Sequence, residues 1–144
     1  MDVTNKAYSI ESGSTGIAFK STNRYQNRTE IQINLDSFYV LLQTKKIIGA
    51  VKAKTSGSTI EIGSLAIDPD HQGKGFGSKL LTYVESLAPV AQLGCVSCRT
   101  DLLPFYYKRG YQEVRRQFIS ELIASEPDLV YVTRDNLELI TLQK

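Results

Sequence analysis

The passage from Thr59 to Ala88 restricts this chain more than any other. An almost continuously apolar run, Thr59–Ile67, leads into Asp68-Pro69-Asp70-His71-Gln72-Gly73-Lys74-Gly75-Phe76-Gly77, and an amphipathic stretch follows at once. The first run is rich in β formers and reads as a strand, central in its sheet because only Glu61 interrupts its apolar character. Leu80, Leu81, Val84, Leu87 and Ala88 recur at helical spacing, which predicts a helix from about Gly75 to Ala88, stopped by Pro89. A glycine loop therefore sits between a strand and a helix. Glycines let the backbone turn tightly and approach a ligand. The helix beyond offers unpaired N–H groups and the positive end of its dipole. Together these features describe an anion site, suited to a diphosphate.

The flanking sequence places this unit in a mixed sheet. Ser37–Leu42 and Ile47–Lys54 read as a hairpin around Gln43-Thr44-Lys45-Lys46, and Ser56-Gly57-Ser58 turns the chain into the Thr59 strand. A fourth strand is expected at Gly94–Arg99. A second helix follows, capped by Asp101, with Pro104 in its first turn and Gly110 as its stop. Tyr111–Phe118 and Leu137–Leu142 read as the last two strands, separated by a polar loop, Glu121–Asp135. Before about Arg28 the pattern is weak, with a short strand near Ala7–Glu11 and one helix expected. Consecutive strands followed by β-α-β-α-β predict an α/β fold: a mixed, mostly antiparallel sheet flanked by helices, in one domain over residues 1–144.

Composition narrows the function classes. With 144 residues, 42% hydrophobic and 22% charged, the chain can bury a core without metal or disulfides. A formal charge of +2 with scattered basic residues gives no nucleic-acid surface. No apolar stretch is long enough to span a bilayer, so no membrane partner is expected. Met1–Lys6 lacks the apolar core of a secretory signal, so the expected location is cytoplasmic or nucleocytoplasmic. Cys95 and Cys98 form a C-x-x-C without a second ligand pair, so no metal site is expected and both read as packing residues. Exposed sheet edges allow either a monomer or a homodimer.

Three meanings compete for the glycine loop. A dinucleotide fingerprint needs G-x-G-x-x-G directly after the strand, whereas here Asp68–Gly73 intervene and the spacing is G-x-G-x-G. A nucleotide P-loop needs G-x-x-x-x-G-K-[ST], which the chain lacks. A purely structural glycine turn is the third. Gln72, Gly75 and Gly77, however, match [QR]-x-x-G-x-[GA], and Phe105-Tyr106-Tyr107-Lys108-Arg109-Gly110-Tyr111 matches F-Y-x-x-x-G-[FY], in that order. This pair of motifs resembles the GNAT superfamily of N-acetyltransferases from about Phe38 onward.

The resemblance implies acetyl-CoA as co-substrate, no metal, and a small-molecule or peptide amine as acceptor. It implies cofactor contacts from Leu65, Ala66 and Ile67 on a bulged strand, and from Gln72, Gly73, Lys74, Gly75, Phe76, Gly77 and Ser78. The pantetheine arm would lie along Leu65–Ile67, with the Leu65 N–H polarising the thioester carbonyl. The chain departs from the family where many members carry a cofactor-contacting Asn; here the residues are Ser97-Cys98-Arg99. Its N-terminal region, before about residue 37, is also short for the helices that wall the acceptor site in other members.

Acyl transfer to an amine needs a proton acceptor, stabilisation of the carbonyl oxygen, a proton for the departing thiolate and aligned substrates. Glu61 is the candidate base: it is the only carboxylate in an apolar strand, where burial would raise its pKa, and its register resembles that of the base in histone acetyltransferases. Tyr106 is the candidate acid, since a phenol can donate to a thiolate and the family pattern places a Tyr four residues before the Gly. The competing assignments are a solvent-facing Glu61 and a packing Tyr106. His71, the single histidine, reads as a loop residue that edges a phosphate. The expected activity is N-acetyl transfer from acetyl-CoA by direct attack in a ternary complex. The alternative is a non-catalytic acyl-CoA-binding or interaction module.

Overall fold

Strand β1 (Phe38–Gln43) and strand β2 (Lys46–Ser56) form an antiparallel hairpin. Its tip, Thr44-Lys45, holds both residues at positive φ (48° and 65°), the backbone that a two-residue hairpin turn requires. Gly57, at φ 60°, turns the chain again into β3 (Thr59–Ile67). The computed structural model describes residues 2–6, 35–123 and 136–144; residues 2–6 are helical. The strand and helix expected between Ala7 and Arg28 lie outside the described residues.

After β3 come a 3-10 turn (Pro69–His71), helix α1 (Phe76–Glu85), β4 (Val90–Val96), helix α2 (Leu103–Lys108), β5 (Gln112–Phe118), a short helix α3 (Ile119–Ile123) and β6 (Glu138–Gln143). Among the described residues the sheet order is β1-β2-β3-β4-β6-β5, with β3 inside the sheet. Only β3 and β4 run parallel, joined through α1; every other pair is antiparallel. This is the mixed, mostly antiparallel sheet flanked by helices that the sequence leads one to expect.

The core lies between α1 and one face of this sheet. Leu80, Leu81 and Val84 of α1 are buried against Val51, Ala53, Ile60 and Ile62, and Leu93, Ile140 and Leu142 continue the cluster. Burial of this kind contributes about 1.5–3 kcal/mol per large side chain. A second, smaller cluster, Ile119 with Leu137, packs against Val96 and Leu139.

Several local expectations need correction. Helix α1 ends at Glu85, not Ala88; Leu87 is exposed, and the Ser86 hydroxyl donates to the Tyr83 carbonyl at the helix end. The fourth strand begins at Val90, directly after Pro89, and stops at Val96. Alternation in Val90-Ala91-Gln92-Leu93 was the overlooked signal: Ala91, Leu93 and Cys95 are buried on one face. Asp101 does not cap α2; its N-cap is Leu102, without a side-chain hydrogen bond, while Asp101 pairs with Arg99 at 2.8 Å. The start of the segment read as a polar loop, Glu121–Ile123, belongs to α3. Cys95 is buried in the main core, and Cys98 packs against the smaller cluster.

Candidate active site

The ladder between β3 and β4 is incomplete. Pairing runs from Thr59↔Val90 to Ile62↔Leu93 and ends there. Beyond that point β3 stays with β2 and β4 stays with β6, so the two central strands separate into a fork. The separation has a local cause in β3. The β2–β3 register shifts between Ala50 and Lys52: Ala50 faces Ala66, whereas Lys52 faces Gly63, so Ser64 and Leu65 together oppose Val51. Ser64 adopts φ 51°, the left-handed conformation that a bulge uses, and its side chain is buried.

A cavity of about 300 Å³ opens beside this fork. One wall is the β3 end, Leu65 and Ile67; a second is the loop and first turn of α1, with His71, Gln72, Gly73, Gly75, Phe76, Gly77 and Ser78. Leu102 and Phe105, at the start of α2, form the third. Gly75 caps α1 at φ 79° and Gly73 sits at φ 72°, so both need a conformation that a side chain resists. A Cβ at either position would meet no protein atom within 4 Å. The constraint there is conformational, and the space beyond is open to a ligand. The first turn of α1 lines this region, and the leading N–H groups of a helix have no intrahelical partner.

Short bonds fix the loop in place. The Gln72 side-chain amide donates to the Ile67 carbonyl at 3.0 Å, and Lys74 Nζ donates to the Asp70 carbonyl at 2.8 Å. The Asp68 carboxylate, almost completely buried, bonds His71 Nδ1 at 2.8 Å, with Lys46 Nζ at 3.9 Å. The Asp68 N–H donates to the Ile48 carbonyl, tying the loop to β2.

The structure thus brings Leu65, Ile67, Gln72, Gly73, Gly75, Phe76, Gly77 and Ser78 to one cavity. Ala66 is buried on β3 and Lys74 is exposed; neither lines it. Glu61 is exposed, contrary to the burial expected from its apolar neighbours. The cause is strand alternation: Ile60 and Ile62 fill the core on the α1 side, so Glu61 points to the other face. It pairs in register with Gln92, one step before the fork. Tyr106 is 7% exposed and belongs to the core on the α1 side, with its ring edge-on to Phe105 (5.3 Å) and Tyr111 (5.8 Å). It does not line the cavity, whereas Tyr107 is the exposed tyrosine of α2. Glu61 and Tyr106 therefore occupy opposite faces of the sheet.

The sequence reading missed Leu102 and Phe105 as wall residues and missed the Asp68–His71 pair. The i,i+3 spacing of Asp68 and His71 across Pro69 was the available signal for the pair. Leu102 had none, because its exposure to the cavity follows from how α2 docks.

Comparison with known proteins agrees with this geometry. The model of the acetyltransferase (GNAT) domain matches residues 34–113. No curated protein sequence matches the chain. Among solved structures, an IAA acetyltransferase from Bacillus cereus is 22% identical, with 81% of this chain and 83% of that one covered and a TM-score of 0.61. A GNAT family acetyltransferase from Elizabethkingia anophelis with acetyl-CoA bound is 20% identical (81% and 82% covered, TM-score 0.63). A ribosomal-protein-alanine N-acetyltransferase from Brucella melitensis is 15% identical, covering 97% of this chain and 90% of its own, with a TM-score of 0.69.

Proposed function

The chain belongs to the GNAT acetyltransferase domain family, and from that premise we propose that it transfers an acetyl group from acetyl-CoA to a primary amine by direct attack in a ternary complex. The observation that carries this reading is the cavity at the β3–β4 fork, bounded by the bulged strand on one side and by the glycine-capped start of α1 on another. A diphosphate fits the N–H groups and dipole at the α1 N-terminus. An extended pantetheine arm fits the edge that β3 frees by leaving β4, where backbone groups lack a ladder partner. The Leu65 N–H beside the bulge is the group we assign to the thioester carbonyl oxygen. The solved relative with acetyl-CoA bound supports this choice of co-substrate.

Chemistry at the carbonyl needs groups from both faces of the sheet. Glu61, beside the fork on the face away from α1, is the proposed base. It lies four residues before Leu65 on β3, on the other side of the Ser64 bulge. The amine proton reaches Glu61 directly or through a water. Tyr106, next to the wall residue Phe105 on α2, is the proposed donor to the CoA thiolate. The amine nitrogen forms the new bond to the acetyl carbon, the carbon–sulfur bond breaks, and the amine proton leaves toward Glu61.

One observation favours a second reading. Neither Glu61 nor Tyr106 lines the cavity, which suits a module that binds acyl-CoA without turning it over. Thiol release from acetyl-CoA across a panel of amines, amino acids and peptides separates the two. Amine-dependent release supports the enzyme; acetyl-CoA binding without release to any acceptor supports the module.

A further inference from the structure

The cavity wall carries one ionisable side chain among the described residues, and it is His71. Lys74 is turned to the Asp70 carbonyl, and Lys79 lies over the Phe76 ring at 5.5 Å. Neither lysine lines the cavity, so an anion there meets backbone N–H groups and His71 but no lysine or arginine of the wall. His71 is also held. Its Nδ1 bonds Asp68 at 2.8 Å, and its ring tilts against Phe76 with centroids 6.3 Å apart. With Nδ1 occupied by the carboxylate, the remaining nitrogen, Nε2, is the one available to a ligand in the cavity. A buried carboxylate at Nδ1 fixes the donor on that side and so the orientation of the ring.

We propose that His71 is a direct ligand of the cofactor's diphosphate, oriented by Asp68, and that its charge makes acyl-CoA affinity depend on pH. The proposal rests on the acetyl-CoA reading above. The imidazolium donates from Nε2 to a phosphate oxygen, adding the one side-chain charge that the wall can supply. Asp68 acts as the positioning residue. The charged groups around the ring are Asp68 from the loop and Lys46 from the start of β2, with Lys46 Nζ 3.9 Å from the same carboxylate. Lys46 is largely solvated, so Asp68 dominates. Only the protonated ring can donate from Nε2 while Nδ1 donates to Asp68, so affinity rises as pH falls.

The test is calorimetric titration of acetyl-CoA into the native chain, His71→Gln and Asp68→Ala between pH 5.5 and 8.5. The 3′-phosphate of CoA also titrates in this window, so dephospho-CoA is run in parallel and the quantity read is the difference between native and variant. We expect His71→Gln to bind about tenfold more weakly at pH 5.5, the scale of one charge-assisted hydrogen bond, and to approach native affinity at pH 8.5. Asp68→Ala removes the partner that orients the ring and should weaken acetyl-CoA binding at pH 5.5 in the same direction as His71→Gln. Native-like affinity and pH slope in His71→Gln, with both proteins folded by melting, overturn the proposal while leaving the acetyl-CoA reading intact. If His71→Gln does not fold, native acetyl-CoA affinity at pH 5.5 in a folded Asp68→Ala has the same force. Failure of the native chain to bind acetyl-CoA at any pH overturns both.

Discussion

The Tyr111 hydroxyl donates to Glu85 Oε1 at 3.0 Å, joining the last residue of α1 to the residue that opens onto β5. Glu85 also accepts from Arg109 Nε (3.3 Å) and Nη2 (3.0 Å) and from Lys144 Nζ (3.2 Å), with its side chain only 11% exposed. This cluster ties the C-terminal end of α1 to the end of α2 and to the last residue of the chain, and so sets the spacing of the two helices that bound the cavity.

Removing the carboxylate leaves Arg109 without its pair inside this half-buried cluster. Glu85→Gln should cost about 2–3 kcal/mol in denaturant unfolding, below the range for a fully buried pair because both ends retain some solvent. Tyr111→Phe should cost about 1 kcal/mol. Burial and then the Glu85 charge push the Tyr111 phenol well above its ordinary range. A raised folded-state value means that its contribution is complete below the unfolded phenol pKa of about 10 and declines as pH rises beyond it. Tyr111→Phe should therefore remove part of the alkaline stability loss above about pH 10, read as unfolding free energy against pH. An identical alkaline slope in the variant would contradict this.

Gly75 combines positive φ with open space. Gly75→Val should destabilise the fold by about 1–2 kcal/mol from conformational strain, and should also crowd the start of α1. Acetyl-CoA affinity should drop at least tenfold at a temperature where the variant is fully folded. Native affinity in a folded variant would remove the loop from the binding account.

Tyr106→Phe separates packing from chemistry. The ring contacts with Phe105 and Tyr111 survive the change, so the fold should lose at most about 1 kcal/mol. Loss of a proton donor should lower single-turnover acetyl transfer by about 10²–10⁴, with acetyl-CoA affinity nearly intact. Near-native turnover would reduce Tyr106 to a core aromatic.

Glu61→Gln tests the base from the other face. Its exposed position makes the change almost neutral for stability. The rate should fall by about 10², and the shape of the pH–rate profile should change with it, because a titrating group has been removed. A uniformly slower enzyme with an unchanged profile would assign the proton to another acceptor.

The sheet and the glycine loop were legible because they depend on local chemistry. Runs of β-forming residues bounded by turns marked β1, β2 and β3, and Gly73 and Gly75 occupy the positive-φ positions that only glycine fills easily. The environment of Glu61 was not legible. An apolar run reads as buried on both faces, but β3 alternates, with Glu61 and Gly63 exposed and Ile60 and Ile62 in the core. The position of Tyr106 was equally hidden, since whether an aromatic on α2 faces the core or the cavity depends on how that short helix docks. Leu102, Phe105 and the Asp68–His71 bond belong to the same class: tertiary placement creates them, and spacing alone only permits them.

The central claim is that the fork at β3–β4 and the start of α1 form one acyl-CoA site. Backbone amide NMR of the isotope-labelled chain, titrated with acetyl-CoA, tests it most directly. The account predicts saturable shifts concentrated at Leu65–Ile67 and Gly73–Ser78, with smaller changes at Leu102 and Phe105 and none at the exposed hairpin tip Thr44-Lys45. Binding that leaves Leu65 and Gly73–Ser78 unshifted, or the absence of any saturable shift, would contradict it.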